Sequence, residues 1–380
     1  MKNTVSRKLT FTLTVAGIGL VVFVFCAVLM LTHGLEQSLV DTGHERNAVV
    51  LRDAATTEVV SIINRQDGDI IQADPAIATD ESGAPLFDGE ILVLINQPKR
   101  SDGKPSNVTV RGVGEQSMKV RPQVKIAEGR MWRPGTSEII AGVKLAETFQ
   151  GCGLGETVRF GMRDWTVVGL MEAKGSGFES EIWGDVDQLM DAFQRPVYSS
   201  LVMRLKEGVD FDVVRERLES DRRLTVKVMP EVEYYRSQSQ AFTMFIGSLG
   251  FFISIIFAAG AVVGAMITMY AAVANRTREI GTLRALGFSR PTIWMAFLTE
   301  SVVIAVFGGI IGIVVANLLT LREVSTTNFD TFAEIAFSFR MSPAIAVGAM
   351  AFSIVMGLFG GLLPAIRASR LKILDALRAK

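Results

Sequence analysis

Four apolar runs, at residues 9–31, 241–273, 291–320 and 343–363, set the strongest limit on what this chain can fold into. Roughly 20 apolar residues carry a helix across a bilayer, and each run reaches that length. In lipid every backbone polar group must be satisfied inside its own element, so such runs become helices. They also explain why 49% of the 380 residues are apolar, a high share for a soluble protein. Between the first two runs, residues 34–238 have ordinary soluble composition. The fold class predicted is a polytopic α-helical membrane protein with four transmembrane helices. A large mixed α+β extracytoplasmic domain is inserted between helices 1 and 2.

Lys2, Arg7 and Lys8 precede the first run. Its apolar part is too long for a signal peptide and no small-x-small cleavage site follows, so it reads as an uncleaved helix with a cytoplasmic amino terminus. The predicted layout is a cytoplasmic start at 1–8 and transmembrane helix 1 at 9–33, which Leu35, Leu39 and Val40 continue as a stalk. The outer domain follows at 34–238, and a stalk with helix 2 at 239–273. A cytoplasmic segment at 274–290 leads to helix 3 at 291–320, an external loop at 321–342, helix 4 at 343–366 closed by Pro364, and a basic cytoplasmic tail at 367–380. The second run is about 50 Å long at 1.5 Å per residue, beyond the ~30 Å hydrocarbon core. The polar Ser237-Gln-Ser-Gln240 before it marks a solvated, stalk-like start, so two rods are expected to join the outer domain to the membrane.

Within 34–238, strand-like runs are predicted at 91–95, 108–110, 138–140, 157–160, 166–170, 200–205 and 225–228. Helices are predicted at 143–149, 186–193 and 211–220, and 67–89 reads as loop. Gly175-Ser-Gly177 lacks a following Lys-Ser/Thr pair and adjoins the acidic Phe178-Glu-Ser-Glu181, so it reads as a turn rather than a phosphate cradle. Cys26 lies in the first apolar run and Cys152 in the soluble region, which makes a disulfide between them implausible. His33 and His44 have no companion ligands, and no metal site is expected. The formal charge balances to zero, giving no electrostatic case for nucleic acid.

Glu300 stands some ten residues into the third run, near mid-bilayer, where a carboxylate is costly and must face protein or water. It reads as a hydrogen-bonding partner for a neighbouring helix, with a substrate or proton site as the rival. Gly260/Gly264, Gly308/Gly312 and Gly357/Gly361 have small-xxx-small spacing, which allows close helix approach within one copy or with a second.

The segment 270–290 is basic and short. Arg276, Arg278, Arg284 and Arg290 outnumber Glu279, which puts it on the cytoplasmic side. Ile280, Leu283 and Leu286 recur at helical spacing, Gly287 suits the helix end, and Pro291 can open the next helix. The stretch Asn275-Arg-Thr-Arg-Glu-Ile-Gly-Thr-Leu-Arg-Ala-Leu-Gly-Phe-Ser-Arg290 resembles the coupling segment of FtsX/MacB-type ABC transporter permeases. Arg111-Gly-Val-Gly114, Glu128-Gly-Arg130 and Trp165-Thr-Val-Val-Gly169 resemble motifs of the MacB-type periplasmic domain. Pro364-Ala-Ile-Arg-Ala-Ser-Arg370 with Asp375-Ala-Leu-Arg378 resembles the family's ending, although Leu374 stands where a proline is common.

The resemblance implies a permease subunit in the bacterial inner membrane whose helix at Arg278, Glu279, Ile280, Leu283, Arg284, Leu286 and Gly287 docks on a separate ABC ATPase. That partner would bind ATP and Mg, since this chain has no G-x-x-x-x-G-K-[ST] and no cofactor of its own is implied. It further implies a homodimer, contact with membrane lipid, and allows for a periplasmic adaptor protein. The output would be mechanotransmission that exports or extracts a lipid, lipoprotein, peptide or drug-like substrate. The alternative is a signalling scaffold that regulates a cell-wall hydrolase or reports an antimicrobial. No intramembrane protease motif is present, so the chain reads as a non-catalytic subunit.

Overall fold

The computed structural model describes residues 2–327 and 333–371, with backbone alone for 2–10, 241, 242, 323 and 327. The chain divides into two compact units. One gathers Met1–His33, Met244–Arg322 and Phe339–Lys380, and the other gathers Gly34–Thr243 and Glu323–Ser338.

The chain enters through α1 (Lys2–Val40), whose last turns, from Gly34, belong to the outer unit. That unit then builds β1 (Asn47–Arg52), α2 (Arg65–Gln72), the hairpin β2 (Phe87–Pro98) and β3 (Pro105–Val113), and α3 (Ser117–Val120). Next come β4 (Lys125–Gly129), β5 (Glu138–Gly142), α4 (Val143–Thr148), β6 (Thr157–Phe160), β7 (Arg163–Glu172), β8 (Glu181–Asp185) and α5 (Val186–Ala192). It closes with β9 (Ser200–Arg204), α6 (Phe211–Glu219) and β10 (Val226–Pro230). The ten strands form one mixed sheet in the order β10-β1-β9-β2-β3-β8-β5-β7-β4, with β6 paired to β7. Two apolar cores lie along it, one around Ile139, Trp165 and Ile182, the other around Val50, Leu201 and Val228. Each predicted strand and helix lies on or beside an observed one, and the unit is a mixed α/β domain between the first and second membrane helices. α2 corrects the loop reading of 67–89. Its sequence, Arg-Gln-Asp-Gly-Asp-Ile-Ile-Gln, is mostly polar, and burial of Ile71 against the second core holds it.

The membrane unit contains the remainder of α1 together with α7 (Glu231–Asn275) from Met244 onward, α8 (Thr277–Ala285), α9 (Arg290–Asn317) and α10 (Pro343–Ser369). Four stretches have the length and composition of membrane spans: Phe11–Val40, Thr243–Asn275, Arg290–Leu321 and Pro343–Ser369. Pro364 does not close the last helix, contrary to the sequence reading. A proline loses the bond to the carbonyl four residues back, here that of Gly360, without ending the helix. Beyond it Ala365 and Ala368 are fully buried in an inter-helix cluster that holds the final turn in place. The expected loop at 321–342 contains paired strands, β11 (Glu323–Thr327) and β12 (Glu334–Ser338), which group with the outer unit. Glu334 bonds Lys99 at 2.7 Å and the Ala336 N–H donates to Ser180 Oγ at 3.1 Å.

Glycine spacing had suggested three close-packing faces. A Cβ at Gly308 would meet Ile18 at 2.9 Å, one at Gly312 the Gly19 carbonyl at 2.6 Å, one at Gly357 Ala305 Cβ at 2.5 Å, and one at Gly361 Ser301 Cβ at 2.5 Å. These four glycines sit where helices touch. Gly260 and Gly264 differ: each is exposed, with nothing within 4 Å of an added Cβ. Within one copy they are not packing positions.

Candidate functional site

The basic segment is not one continuous helix. α7 runs to Asn275, the backbone departs from helical geometry at Arg276, and α8 begins at Thr277. One side of α8 is anchored. Ile280, 2% exposed, packs with Met269 and Val273 of α7, Ile293 and Phe297 of α9, and Ala365 and Ala368 of α10. Ile280, named from sequence with the coupling residues, is an internal side chain whose face of the helix closes the cluster. The remaining apolar residues point outward: Leu283 is 41% exposed, Leu286 73% and Phe288 48%. Phe288 was not singled out from sequence, since it lies past the helix end and off the helical period.

The end of α8 is tightly specified. Gly287 adopts φ +96°, a left-handed conformation that favours glycine. The Gly287 N–H donates to the Arg284 carbonyl at 3.2 Å and the Phe288 N–H to the Leu283 carbonyl at 3.1 Å. This is the paired closure of a Schellman motif, and it turns Phe288 back beside Leu283. Ser289 Oγ then accepts from the Thr292 N–H at 3.4 Å, and Pro291 occupies the first turn of α9. Arg278 and Glu279 are exposed and Arg284 is half-buried in the last turn, where a cation suits the helix dipole.

Glu300 is not an isolated mid-bilayer carboxylate. Arg276 Nη1 donates to its two oxygens at 2.8 and 3.2 Å, and both side chains are about one-third exposed, at 30% and 35%. The first turns of α9, through Ile293 and Phe297, pack on α8 and the ends of α7 and α10. That brings Glu300 to the level of the α7–α8 break, where a cation is available. Its partner is a charge on another helix rather than a neutral hydrogen-bonding group.

A second polar constellation, which sequence spacing did not reveal, is buried in the outer unit. Arg111 on β3 donates through Nη1 to Glu58 at 2.8 Å and Glu90 at 2.6 Å, and through Nε to Glu181 at 2.8 Å. Arg121 also donates to Glu90 and, through Nε at 3.0 Å, to Glu231, the first residue of α7. Glu231 in turn accepts from the His44 N–H and Asn47 Nδ2, each at 2.9 Å. One carboxylate thus ties the start of α7 to the chain leaving α1. Phe178 lies under both guanidinium groups, 4.7 Å from Arg121 and 5.6 Å from Arg111. Burial and the neighbouring Glu90 charge push Asp88 well above the ordinary carboxylate range. Burial also raises Glu90. For Glu58, burial acts upward but the Arg111 guanidinium prevails and holds the carboxyl below its ordinary value. Cys26 and Cys152 are both buried free thiols.

Residues 11–221 match the family described as the MacB-like periplasmic core domain, and residues 251–373 match the FtsX-like permease C-terminal family. The chain belongs to the FtsX/MacB-type family of ABC transporter permeases. It is a membrane protein with an extracytoplasmic domain. Over 119 residues it is 41% identical to the ABC transporter permease YvrN of Bacillus subtilis (strain 168), covering 30% of this chain and 26% of that protein. Over 393 residues it is 25% identical to the macrolide export ATP-binding/permease protein MacB of Escherichia coli, covering 98% of this chain and 58% of MacB. The chain thus spans less than two thirds of either relative. Among solved structures, the periplasmic region of MacB from Actinobacillus actinomycetemcomitans aligns with 52% of this chain and 94% of its own, at 14% identity and a TM-score of 0.39.

Proposed function

We propose that this FtsX/MacB-type permease couples ATP hydrolysis on a separate ATPase subunit to movement of its outer domain, by mechanotransmission. The observation that carries the reading is the two-sided character of α8. A short helix is locked into the ends of three long helices through Ile280 and leaves Leu283, Leu286 and Phe288 uncovered. Three exposed apolar side chains beside Arg278 and Arg284 suit a partner groove with an apolar floor and an acidic rim. A push on α8 is transmitted because its anchor is packed against α7, α9 and α10 at native density. The partner would hold ATP and Mg, and a second copy of this chain would complete a pair of coupling helices. The outer domain would then act on a lipid, lipoprotein, peptide or drug-like substrate; similarity to the macrolide export protein MacB of Escherichia coli supports the last class.

The test is co-purification of the tagged full chain with the P-loop ATPase encoded in the same cell. Leu283→Asp places a charge in the centre of the apolar patch. A central contact of this kind is worth about 2 kcal/mol or more, roughly thirtyfold in affinity, so the ATPase should be lost from the mutant while the permease remains monodisperse. Equal recovery of ATPase with both proteins would overturn the docking site. Absence of any ATPase with the wild type would overturn the coupling function.

A further inference from the structure

A cavity of about 310 Å³ opens between α1, α7 and α9 in the membrane unit. That volume falls at the lower end of the range of small-ligand pockets, about 300–1,000 Å³. Its lining mixes apolar side chains (Met269, Ala271, Ala272 and Ile304) with Asn275 and two paired polar features. One is the Arg276–Glu300 ion pair; the other is a pair of hydroxyls, with Thr14 Oγ bonded to Thr268 Oγ at 3.1 Å. Phe11, 45% exposed, also lines it. On the positive-inside rule this end of the bundle meets the cytoplasmic leaflet.

The charge arrangement selects a ligand. Arg276 uses only Nη1 on Glu300, so among the described residues its Nε and Nη2 remain without acceptors. A guanidinium with two unspent donors is a phosphate binder. Directly beside it, Glu300 is an acceptor for an ammonium group. A purely anionic phosphate would be repelled by Glu300, and a quaternary ammonium has no N–H to give it. A zwitterion with a phosphate next to a primary ammonium satisfies both. The apolar part of the lining, with Phe11, suits the first carbons of acyl chains.

We infer that this cavity is a binding site for the headgroup of a phosphoethanolamine lipid of the cytoplasmic leaflet, with Arg276 on the phosphate and Glu300 on the ammonium. The site uses none of the exposed face of α8, so it stands independently of the ATPase reading.

The test uses the full chain in nanodiscs of equal parts phosphatidylethanolamine, phosphatidylcholine and phosphatidylglycerol, with lipids that stay on the ejected protein identified by native mass spectrometry. One charge-assisted contact suffices for about tenfold discrimination, so phosphatidylethanolamine should be enriched about tenfold over phosphatidylglycerol. Ala272→Phe, which fills the cavity, and Glu300→Gln, which removes the charged acceptor for the ammonium, should each bring that ratio close to one. Soluble glycerophosphoethanolamine at millimolar concentration should not displace the lipid; displacement would show a free headgroup as the ligand and overturn the lipid assignment. A photoactivatable phosphatidylethanolamine on the wild-type protein removes any dependence on variants. Adducts should map to 268–276 or 300–304. Retention without headgroup preference, a ratio unmoved by Ala272→Phe, or adducts only elsewhere would each overturn the site.

Discussion

The two units of this protein solve the problem of internal charge in opposite ways. In the outer unit, Arg111 and Arg121, at most 2% exposed, are buried with Glu58, Glu90, Glu181 and Glu231. In the membrane unit, by contrast, the Arg276–Glu300 pair is the ion pair found among the described residues, and it stays one-third exposed at a cavity. Desolvating a pair is costly, and only excellent geometry with every lone pair satisfied offsets it. The outer unit has the backbone and side-chain donors to do so: His44, Asn47, Ser200 and Trp183 all bond the carboxylates. Apolar helices lack such donors, so their one pair sits where solvent or headgroups reach it. The lesson is that the outer cluster is a rigid clamp on the entry of α7, whereas the membrane pair is open to a ligand.

The largest expected effect breaks that contrast. Arg121→Met leaves Glu231 without a cation and Glu90 with Arg111 alone, and should cost about 3–5 kcal/mol of local stability. Amide hydrogen exchange in β2, β3 and the first turns of α7 measures it in the intact chain. Arg276→Met should cost only about 1 kcal/mol or less, since the cavity can hydrate Glu300. Similar costs at the two sites would erase the distinction between clamp and open pair.

Packing gives a smaller effect. Gly357→Ala forces a Cβ against Ala305 Cβ at 2.5 Å and should destabilise the α9–α10 contact by about 1–3 kcal/mol. Gly260→Ala meets nothing within the copy and should be neutral or stabilising by up to about 1 kcal/mol. Thermal aggregation in detergent ranks the two. If Gly260→Ala lowers the dimer fraction without lowering that temperature, the open face is where a second copy packs.

The smallest effect is a pH slope. Asp88 is raised above its ordinary 3.8, so its contribution to folding is fully present below that pH and is lost as pH rises. Asp88→Asn, which keeps the acceptor for the Gly114 N–H, removes this loss. Its transition should fall less between pH 5 and 9 than that of the wild type, by about 2–4 °C for each kcal/mol in a domain of this size. Parallel slopes would show that Asp88 is ionised in the folded protein.

Much of this was readable in advance, for identifiable reasons. Membrane helices announce themselves through length and hydropathy, which is why it is their ends that differ, as at Pro364 and at Glu231, where α7 starts ahead of the expected 239. Strands rich in β-branched and apolar residues, such as Ile91–Ile95 and Val108–Val110, were legible, whereas β4, with the sequence Lys-Ile-Ala-Glu-Gly, is largely exposed and carries no apolar pattern. Ile280, Leu283 and Leu286 share a helical period, yet period alone does not say which of them faces inward.

The sequence by itself determined the long apolar helices, the inserted domain and the basic segment between the second and third of those helices, because hydrophobic length and local motifs are properties of contiguous residues. Tertiary structure alone decided that Glu300 meets Arg276, that Gly260 is open while Gly357 is closed, and that Glu58, Glu90, Glu181 and Glu231 converge on two arginines. The partners in these ion pairs lie between 21 and 110 positions apart, as in Arg111–Glu90 and Arg121–Glu231. Their energies depend on burial and on distances of a few ångströms, which only the folded sheet and the packed helices set.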